Sequence, residues 1–312
     1  MKRRIGLLHT RSRCQSGVAI ITALVVVAAA TVAVSAMLWR QSIAVRKVEN
    51  QAAVGQARWL ARSALDWARL ILLQDARTSA IDHAGELWAV PLAETRVADD
   101  ATNSVGGATT TVADQDAAYV SGRMRDAQAR FNLTGLLLGD QPDEAQVAIF
   151  KRLLNVLGAS TDLAGAFAAR MAETPKPEGY DRLATDMVAR GELDSGAADT
   201  LRPFVVVLPT ATPINLNTAP PEVLAAAFPD LPLDSAKALA QSRDRIYFNQ
   251  VSDAVGRLPG TSGKTSPGNV SVDTHFFEVD GHVRVGRAEL DVVALIERDA
   301  SGATRVRSLR EQ

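Results

Sequence analysis

The chain has 312 residues, of which 47% are hydrophobic and 22% are charged. It is therefore long and apolar enough to bury a core in each of two modest domains, which excludes a disordered chain. The net charge is -1, but residues 1–17 carry five basic residues and no acid, so the remainder has a charge of -6. An acidic remainder argues against a general nucleic-acid binder, whose affinity would come from neutralising phosphates.

An uncharged apolar segment follows the basic leader. It runs from Val18 to Trp39 and ends at Arg40. A helix that rises 1.5 Å per residue needs about 20 such residues to cross a bilayer. Basic residues before the segment predict a cytoplasmic N-terminus and an exported bulk. The segment is therefore either a membrane span or a secretory signal. The single cysteine, Cys14, precedes it and allows no intrachain disulfide.

Two cleavage positions fit this segment. The small residues Val34-Ser35-Ala36 suit a conventional signal peptidase, which would release a soluble exported protein. A cut after Gly17 would instead leave Val18 as the first mature residue and keep the apolar segment. Arg40–Arg77 favours the second position because it contains no proline, one glycine and many good helix formers. These residues predict one helix over 18–77, about 90 Å long at the standard rise.

The C-terminal half of that helix is amphipathic. Apolar residues recur on one helical face at Leu60, Ala64, Trp67, Ala68 and Ile71. This face predicts that the helix packs on a folded domain, which a discarded signal peptide would not need. An ordinary single-pass anchor followed by an unrelated helix is the alternative.

The remaining sequence predicts a sheet domain interrupted by helices. Residues 78–126 indicate a surface loop with short strands and one clear strand at Ala117–Arg125. Residues 127–268 carry helical periodicity and capping signals, which predict an all-α domain. Residues 269–312 contain three alternating segments, His275–Val285, Ala288–Arg298 and Thr304–Leu309. These alternating segments predict antiparallel strands, so the helical block is expected to be an insertion in an α+β fold.

Three features resemble one known family. A basic leader (1–17) that ends in glycine and continues into an apolar, then amphipathic, helix is similar to a prepilin signal. Ile214–Ala219, followed by Glu222-Val223-Leu224, resembles a signature in the helical insert of K pseudopilins, and Asp126–Leu133 resembles their turn from the pilin sheet into that insert. The fifth residue after the cut is Thr22, whereas most prepilins have glutamate there. Lack of this glutamate is typical of the minor pseudopilin K of type II secretion systems, the family that the chain resembles.

The resemblance implies a fold and a function. The fold is a long transmembrane and amphipathic helix packed on an antiparallel pilin-like sheet, with a helical insertion similar to SAM-like or helix-hairpin-helix domains. Prepilin peptidase would cut between Gly17 and Val18, and the mature N-terminus would be methylated. The subunit would cross the inner membrane once, with its globular part in the periplasm. It would act at the pseudopilus tip, where it would take part in pseudopilus initiation and in protein export across the outer membrane.

The resemblance also implies partners: other minor pseudopilins, the major pseudopilin, prepilin peptidase and, as a further expectation, secreted cargo. No cofactor, catalytic residue or metal ligand is assigned. Residues 165–185 lack the clustered carboxylates that calcium would need. The four histidines, His9, His83, His275 and His282, lack metal-ligand spacing, although His275 and His282 could meet across a hairpin.

Two alternative functions share parts of this pattern. A type IV pilus minor pilin would assemble in the same way but would serve adhesion or pilus initiation. A membrane-anchored DNA-uptake receptor is suggested by residues 214–260, which also resemble tandem helix-hairpin-helix modules. Such modules hold phosphate with backbone amides before a helix N-terminus. Pro229–Asp234 occupies that place here, and its two prolines and two aspartates predict no nucleic-acid binding. Gly263-Lys264-Thr265 lacks the preceding glycine of a phosphate-binding loop and indicates an ordinary turn.

Overall fold

A computed structural model describes residues 16–97, 117–173, 178–258 and 267–311. Most of the leader and the Gly263-Lys264-Thr265 turn therefore lie outside the described residues. The chain divides into two units, 1–55 and 56–312, and each is described by itself.

The longest element is helix α1, Ser16–Thr78. It has no proline and only two glycines, Gly17 and Gly55, so nothing in its sequence breaks the backbone ladder. Within the described residues it alone is long and apolar enough to cross a membrane, with a mean hydropathy of 2.5 over its most apolar window. The expected long N-terminal helix is confirmed.

The other helices and the strands follow in chain order. The helices are α2 (Glu144–Val156), α3 (Leu163–Ala172), α4 (Tyr180–Ala189), α5 (Ser195–Leu201), α6 (Pro221–Ala227), α7 (Leu233–Arg245) and α8 (Val251–Gly256). The strands are β1 (Leu92–Val97), β2 (Ala118–Asp126), β3 (Phe131–Asn132), β4 (Leu137–Leu138), β5 (Gln141–Pro142), β6 (Val205–Val206), β7 (Ile214–Asn215), β8 (Val270–Ser271), β9 (Phe276–Val285), β10 (Ala288–Arg298) and β11 (Thr304–Glu311).

Five strands form one sheet in the order β1-β2-β9-β10-β11, and all neighbours are antiparallel. Strands β2 and β9 are neighbours in the sheet although helices α2 to α8 lie between them in the chain. The α+β fold with an inserted helical block is therefore confirmed. The turn from β10 to β11 uses Gly302 at a φ of 84°, a conformation that favours glycine.

The part of α1 that lies in the second unit packs on one face of this sheet. Leu65, Ala68 and Leu72 share a core with residues of β9 and β10, among them Phe277 and Ile296. The predicted packing face was rotated by about one position. The buried positions are Ala57, Ala61, Leu65, Ala68 and Leu72, whereas Trp67 is 51% exposed. The prediction was correct for Ala68, which is buried, and for Ile71, which packs against the same core, but not for Trp67. The offset arises because two adjacent helical faces are both apolar here.

The insertion has its own hydrophobic core. Phe150 of α2 stacks on Phe131 at a ring distance of 5.2 Å and meets Phe167 of α3 edge-on at 5.4 Å. Asp143 caps α2 by accepting hydrogen bonds from two backbone amides of its first turn. The helix is followed by Gly158 at a φ of 71°. The hydrophobic core of the insertion is thus separate from the core between α1 and the sheet.

Candidate functional site: the N-terminal helix and a buried polar junction

The expected processing residues lie at the start of α1. Gly17 and Val18 are in its first turn, and Thr22 lies in the next. The Thr22 hydroxyl donates to the carbonyl oxygen of Ala19 at 3.0 Å, so the helix backbone satisfies it. Position 22 therefore contributes neither a charge nor a free polar group. Cleavage between Gly17 and Val18 stays a prediction.

The apolar part of α1 is exposed along its length. Large side chains between Ile20 and Trp39 have exposed fractions of 57% to 72%. Soluble domains rarely expose so much contiguous apolar surface. A lipid bilayer or neighbouring apolar helices would cover such a surface.

Two motifs singled out in the sequence meet at the end of strand β2. Asp126, the last residue of β2, is buried. Its Oδ1 accepts a hydrogen bond from the backbone amide of Gln128 at 2.7 Å. Its Oδ2 accepts from Nδ2 of Asn215 at 2.8 Å and from the hydroxyl of Thr218 at 2.5 Å. The Asp126–Leu133 motif and the Ile214–Ala219 motif are thus joined by one carboxylate.

The asparagines of the second motif extend this network into the insertion. Nδ2 of Asn215 also donates to the carbonyl oxygen of Asp82 at 3.0 Å, and its Oδ1 accepts from the amide of Asn217 at 2.9 Å. The side chain of Asn217 donates to and accepts from the backbone of Phe248, which precedes α8. The motif therefore ties the α7–α8 connection to the end of the sheet.

Gln128 bridges the two chain connections of the insertion. Its Nε2 donates to the carbonyl oxygen of Pro213 at 3.2 Å, and its Oε1 accepts from the backbone amide of His275 at 2.7 Å. Residue 128 lies where the chain leaves the sheet and residue 275 where the chain returns to it. The outgoing and returning connections are thus held side by side.

A buried ion cluster adjoins this network. Arg298, the last residue of β10, donates to Asp75 of α1 at 2.8 Å and to both carboxylate oxygens of Asp82 at 2.5 and 2.7 Å. The backbone amide of Thr274 also donates to Asp82, at 2.8 Å. Asp82 is 1% exposed and Arg298 is 6% exposed. We call the network around Asp126 and this ion cluster together the polar junction.

Among the described residues, the polar junction contains three carboxyl groups, of Asp75, Asp82 and Asp126, and one guanidinium, of Arg298. Burial raises the pKa of Asp82 to about 7, although Arg298 and the Thr274 amide oppose the rise. Burial also raises the pKa of Asp126, against hydrogen bonds that favour its charged form. Burial alone would lower the pKa of Arg298, but Asp82 and Asp75 outweigh that effect and raise it.

Three acidic groups in and beside the junction are close enough together to hold a metal ion, but all three are bonded to protein donors. Ligand oxygens of Asp75, Asp82 and Glu86 lie within 4.8 Å of one another. Both aspartates, however, are bonded to Arg298, and Glu86 accepts from the indole nitrogen of Trp88 at 2.8 Å. The guanidinium of Arg298 is therefore the cation of this cluster.

Helices α6 and α7 resemble a helix-hairpin-helix module in their arrangement, but the turn between them lacks the groups that bind phosphate. Helices α6 and α7 are joined by a short turn in which Asp230 has a φ of 60°. Pro232 precedes α7 and Asp234 lies in its first turn, where an acid opposes an anionic ligand.

The structure does not bring His275 and His282 together across a hairpin. His275 precedes β9 and His282 lies within that same strand, so no hairpin separates them. His282 instead lies 2.7 Å from Asp291 of β10.

Sequence reasoning missed Asp75, Asp82 and Arg298. One signal was available, because Arg298 continues the inward-facing, alternating positions of β10, which otherwise hold apolar residues. A charge at such a position predicts a buried partner. Nothing in the sequence indicated that the partners would be two aspartates more than 200 residues earlier.

A long apolar helix that continues onto an antiparallel sheet, with a helical insertion held by a polar junction, defines a pilin-like subunit able to span a membrane once. The family model for type II secretion system protein K matches residues 214–274, which include Asn215, Thr218 and Thr274 of the junction. Type II secretion system protein K of Pseudomonas aeruginosa is 29% identical, over 94% of this chain and 92% of that protein. The resemblance to the protein K family of type II secretion systems is thereby confirmed.

A solved structure supports the fold independently. A chain in the crystal structure of the GspK-GspI-GspJ complex from enterotoxigenic Escherichia coli matches with a TM-score of 0.65 and 19% identity. The match covers 85% of this chain and 99% of that one. It therefore includes both the sheet and the insertion.

Proposed function

We propose that this chain is a minor pseudopilin at the tip of a type II secretion pseudopilus, where it takes part in pseudopilus initiation and in protein export across the outer membrane. One observation carries the proposal. Helix α1 has an apolar part long enough to cross a membrane, and its later part packs on a pilin-like sheet that holds a large helical insertion. The relatives are components of a secretion system. We assign no catalytic residue, metal or cofactor.

The tip position follows from Thr22 and from the insertion. A glutamate at this position in shaft subunits is taken to pair with the N-terminal amine of a neighbour, since an unpaired charge in a bilayer costs several kcal/mol. Thr22 cannot offer that carboxylate to another subunit, whereas the amine of this chain can still use the glutamate of a neighbour. A shaft would also have to accommodate helices α2 to α8 at every repeat. A tip accommodates them once.

Processing and location follow from the same proposal. Prepilin peptidase removes residues 1–17, and the mature chain begins at a methylated Val18. Helix α1 crosses the inner membrane once and the globular part lies in the periplasm. The basic leader supports this orientation.

The partners are other minor pseudopilins, and the described surface offers them an apolar contact. The solved relative was crystallised in a complex with two other proteins, GspI and GspJ. In this chain, Trp59, Trp67 and Leu70 of α1 are 70%, 51% and 61% exposed. Large exposed apolar side chains on one helix are typical of a protein interface.

A groove beside α1 extends this surface. It has a volume of about 280 Å³ and lies between the helix and the sheet. Its floor includes Gly122 and Gly281, which face each other in register on β2 and β9. Trp67, Leu87 and Val90 line it and are exposed. An apolar side chain of a sister subunit fits this groove.

The proposal is tested by mixing the soluble part, from about residue 40, with the soluble minor and major pseudopilins of the same system. Size-exclusion chromatography with light scattering should show a complex with the other minor pseudopilins. If the chain elutes alone under all mixing conditions, the proposal is wrong.

The DNA-uptake alternative predicts a different result. A receptor would bind duplex or single-stranded DNA with an affinity that falls steeply with salt. Titration of purified residues 127–268 at low salt should show no such binding. Binding at micromolar concentration would instead favour the receptor.

A further inference from the structure

We propose that Asp82, Asp126 and Arg298 form a proton-controlled clasp that holds the helical insertion on the sheet, and that loss of protons from its carboxyl groups loosens this hold. The clasp sits where both connections of the insertion pass. Asp126 ends the strand from which the chain leaves the sheet, and Thr274, bonded to Asp82, lies where the chain returns. Asn215 of the insertion bonds to both sides, through Oδ2 of Asp126 and the carbonyl oxygen of Asp82.

The titratable and charged groups around the clasp come from three elements of the sheet domain and one loop. Helix α1 contributes Asp75, the loop after it contributes Asp82, His83 and Glu86, strand β2 contributes Asp126 and strand β10 contributes Arg298. Among the described residues, the groups of the insertion that bond to Asp126 are neutral, the amide of Asn215 and the hydroxyl of Thr218. The guanidinium of Arg243 in α7 bonds to the carbonyl oxygens of Leu216 and Ala219 in the same motif. When all carboxyl groups are ionised, one guanidinium therefore faces several buried negative charges. Removing charge by protonation relieves their repulsion.

Within this network, Asp126 can accept a proton without losing its contact with Thr218. The Thr218 hydroxyl lies 2.5 Å from Oδ2 of Asp126 and 3.4 Å from the carbonyl oxygen of Asn215. A hydroxyl both donates and accepts. In the protonated state Asp126 donates to Thr218, which turns its own proton toward the Asn215 carbonyl oxygen. In the ionised state Thr218 donates to Asp126.

The direction of the pH dependence follows from proton linkage. Burial raises the pKa of Asp82 to about 7, and opening of the junction would return it toward its ordinary value. The closed junction then holds more protons than the open one, so raising the pH through 7 favours opening. A single group with this shift changes the equilibrium between closed and open forms about tenfold between pH 6 and pH 8. Asp126 adds to the change in the same direction.

The test is amide hydrogen exchange of the full-length protein in detergent micelles at pH 6 and pH 8, corrected for the intrinsic dependence of exchange on pH. The backbone amides of Gln128 and Thr274, which donate to Asp126 and Asp82, report the clasp. We expect their protection to fall about tenfold at pH 8, while the amides of α2 keep theirs. No change at the two amides, or an equal loss in α2, would overturn the proposal.

Variants assign the effect to the clasp. Asp82→Asn should remove most of the pH dependence at Gln128 and Thr274, whereas Asp291→Asn, in the exposed pair with His282, should leave it as in the wild type. If Asp82→Asn does not fold, Asp126→Asn serves the same purpose. Infrared titration of the wild type should also show buried carboxyl groups losing protons near neutral pH. An unchanged dependence in a folded clasp variant would show that other groups are responsible.

Discussion

At the scale of single residues, the N-terminus carries the processing signal. A peptidase that cuts before the apolar helix must accommodate the residue that precedes the scissile bond, and glycine is the smallest one. We expect Gly17→Val to leave full-length precursor in the membrane, as measured by intact mass. Gly55→Val, in the same helix but distant from the cut, is the control and should be processed normally. A mature Gly17→Val chain that begins at Val18 would contradict the prepilin assignment.

Asn215 connects the insertion to the polar junction. Its side chain bonds to Asp126, to the carbonyl oxygen of Asp82 and to the amide of Asn217. Asn215→Ala removes one of the hydrogen bonds to Asp126 and the bonds shown for the Asp82 carbonyl oxygen and the Asn217 amide. Each buried group left unsatisfied costs about 1–3 kcal/mol. We expect a loss of at least about 2 kcal/mol in the free energy of unfolding, measured by denaturant titration of the soluble part.

The matched control is Asn249→Ala, because Asn249 is exposed. Surface substitutions usually change stability by less than about 0.5 kcal/mol. Equal stability of the two variants would show that the junction does not hold the insertion.

At the scale of elements, the groove beside α1 allows a sharper test of partner binding. Ala64 lines the groove, and Ala64→Phe would fill the space proposed for a partner side chain. We expect this variant to weaken association with the other minor pseudopilins at least tenfold, which corresponds to about 1.4 kcal/mol. Association is measured by titration of the soluble proteins.

Ser63→Phe adds a ring on the same helix but does not line the groove, and it is the control. Both variants should stay folded, as checked by thermal unfolding. If Ala64→Phe associates as tightly as Ser63→Phe, the groove is not part of the interface.

The elements also show what the sequence can predict. Periodicity predicted helices across 127–268 and placed strand β10 at Ala288–Arg298, because apolar spacing and capping residues are local signals. The side of α1 that packs on the sheet was misplaced because adjacent faces are both apolar. The polar junction was not predicted, since Arg298 and its aspartates are brought together only by the sheet and by α1. Local patterns carry no information on such distant pairs.

At the scale of the whole molecule, the insertion between two neighbouring strands explains why both sequence motifs contact the sheet. Asp126 ends β2, where the chain enters the insertion. Asn215 lies within the insertion, 89 residues later, and its side chain donates a hydrogen bond to Asp126. The polar junction therefore joins the insertion to the pilin-like sheet, beside the apolar contact of Val206 and Leu208 with Phe276. The boundaries predicted for it, 127–268, remain a prediction that limited proteolysis can check.

The most direct test of a tip subunit is the number of copies of the full-length chain in the assembly that it joins. Complexes extracted from the membrane with the other pseudopilins present would be analysed by native mass spectrometry or light scattering. We predict one copy of this chain with two or more other minor pseudopilins, since Thr22 supplies no carboxylate for a further subunit and the insertion fits once. Many copies in a repeating filament, or filaments of this chain alone, would contradict the proposal.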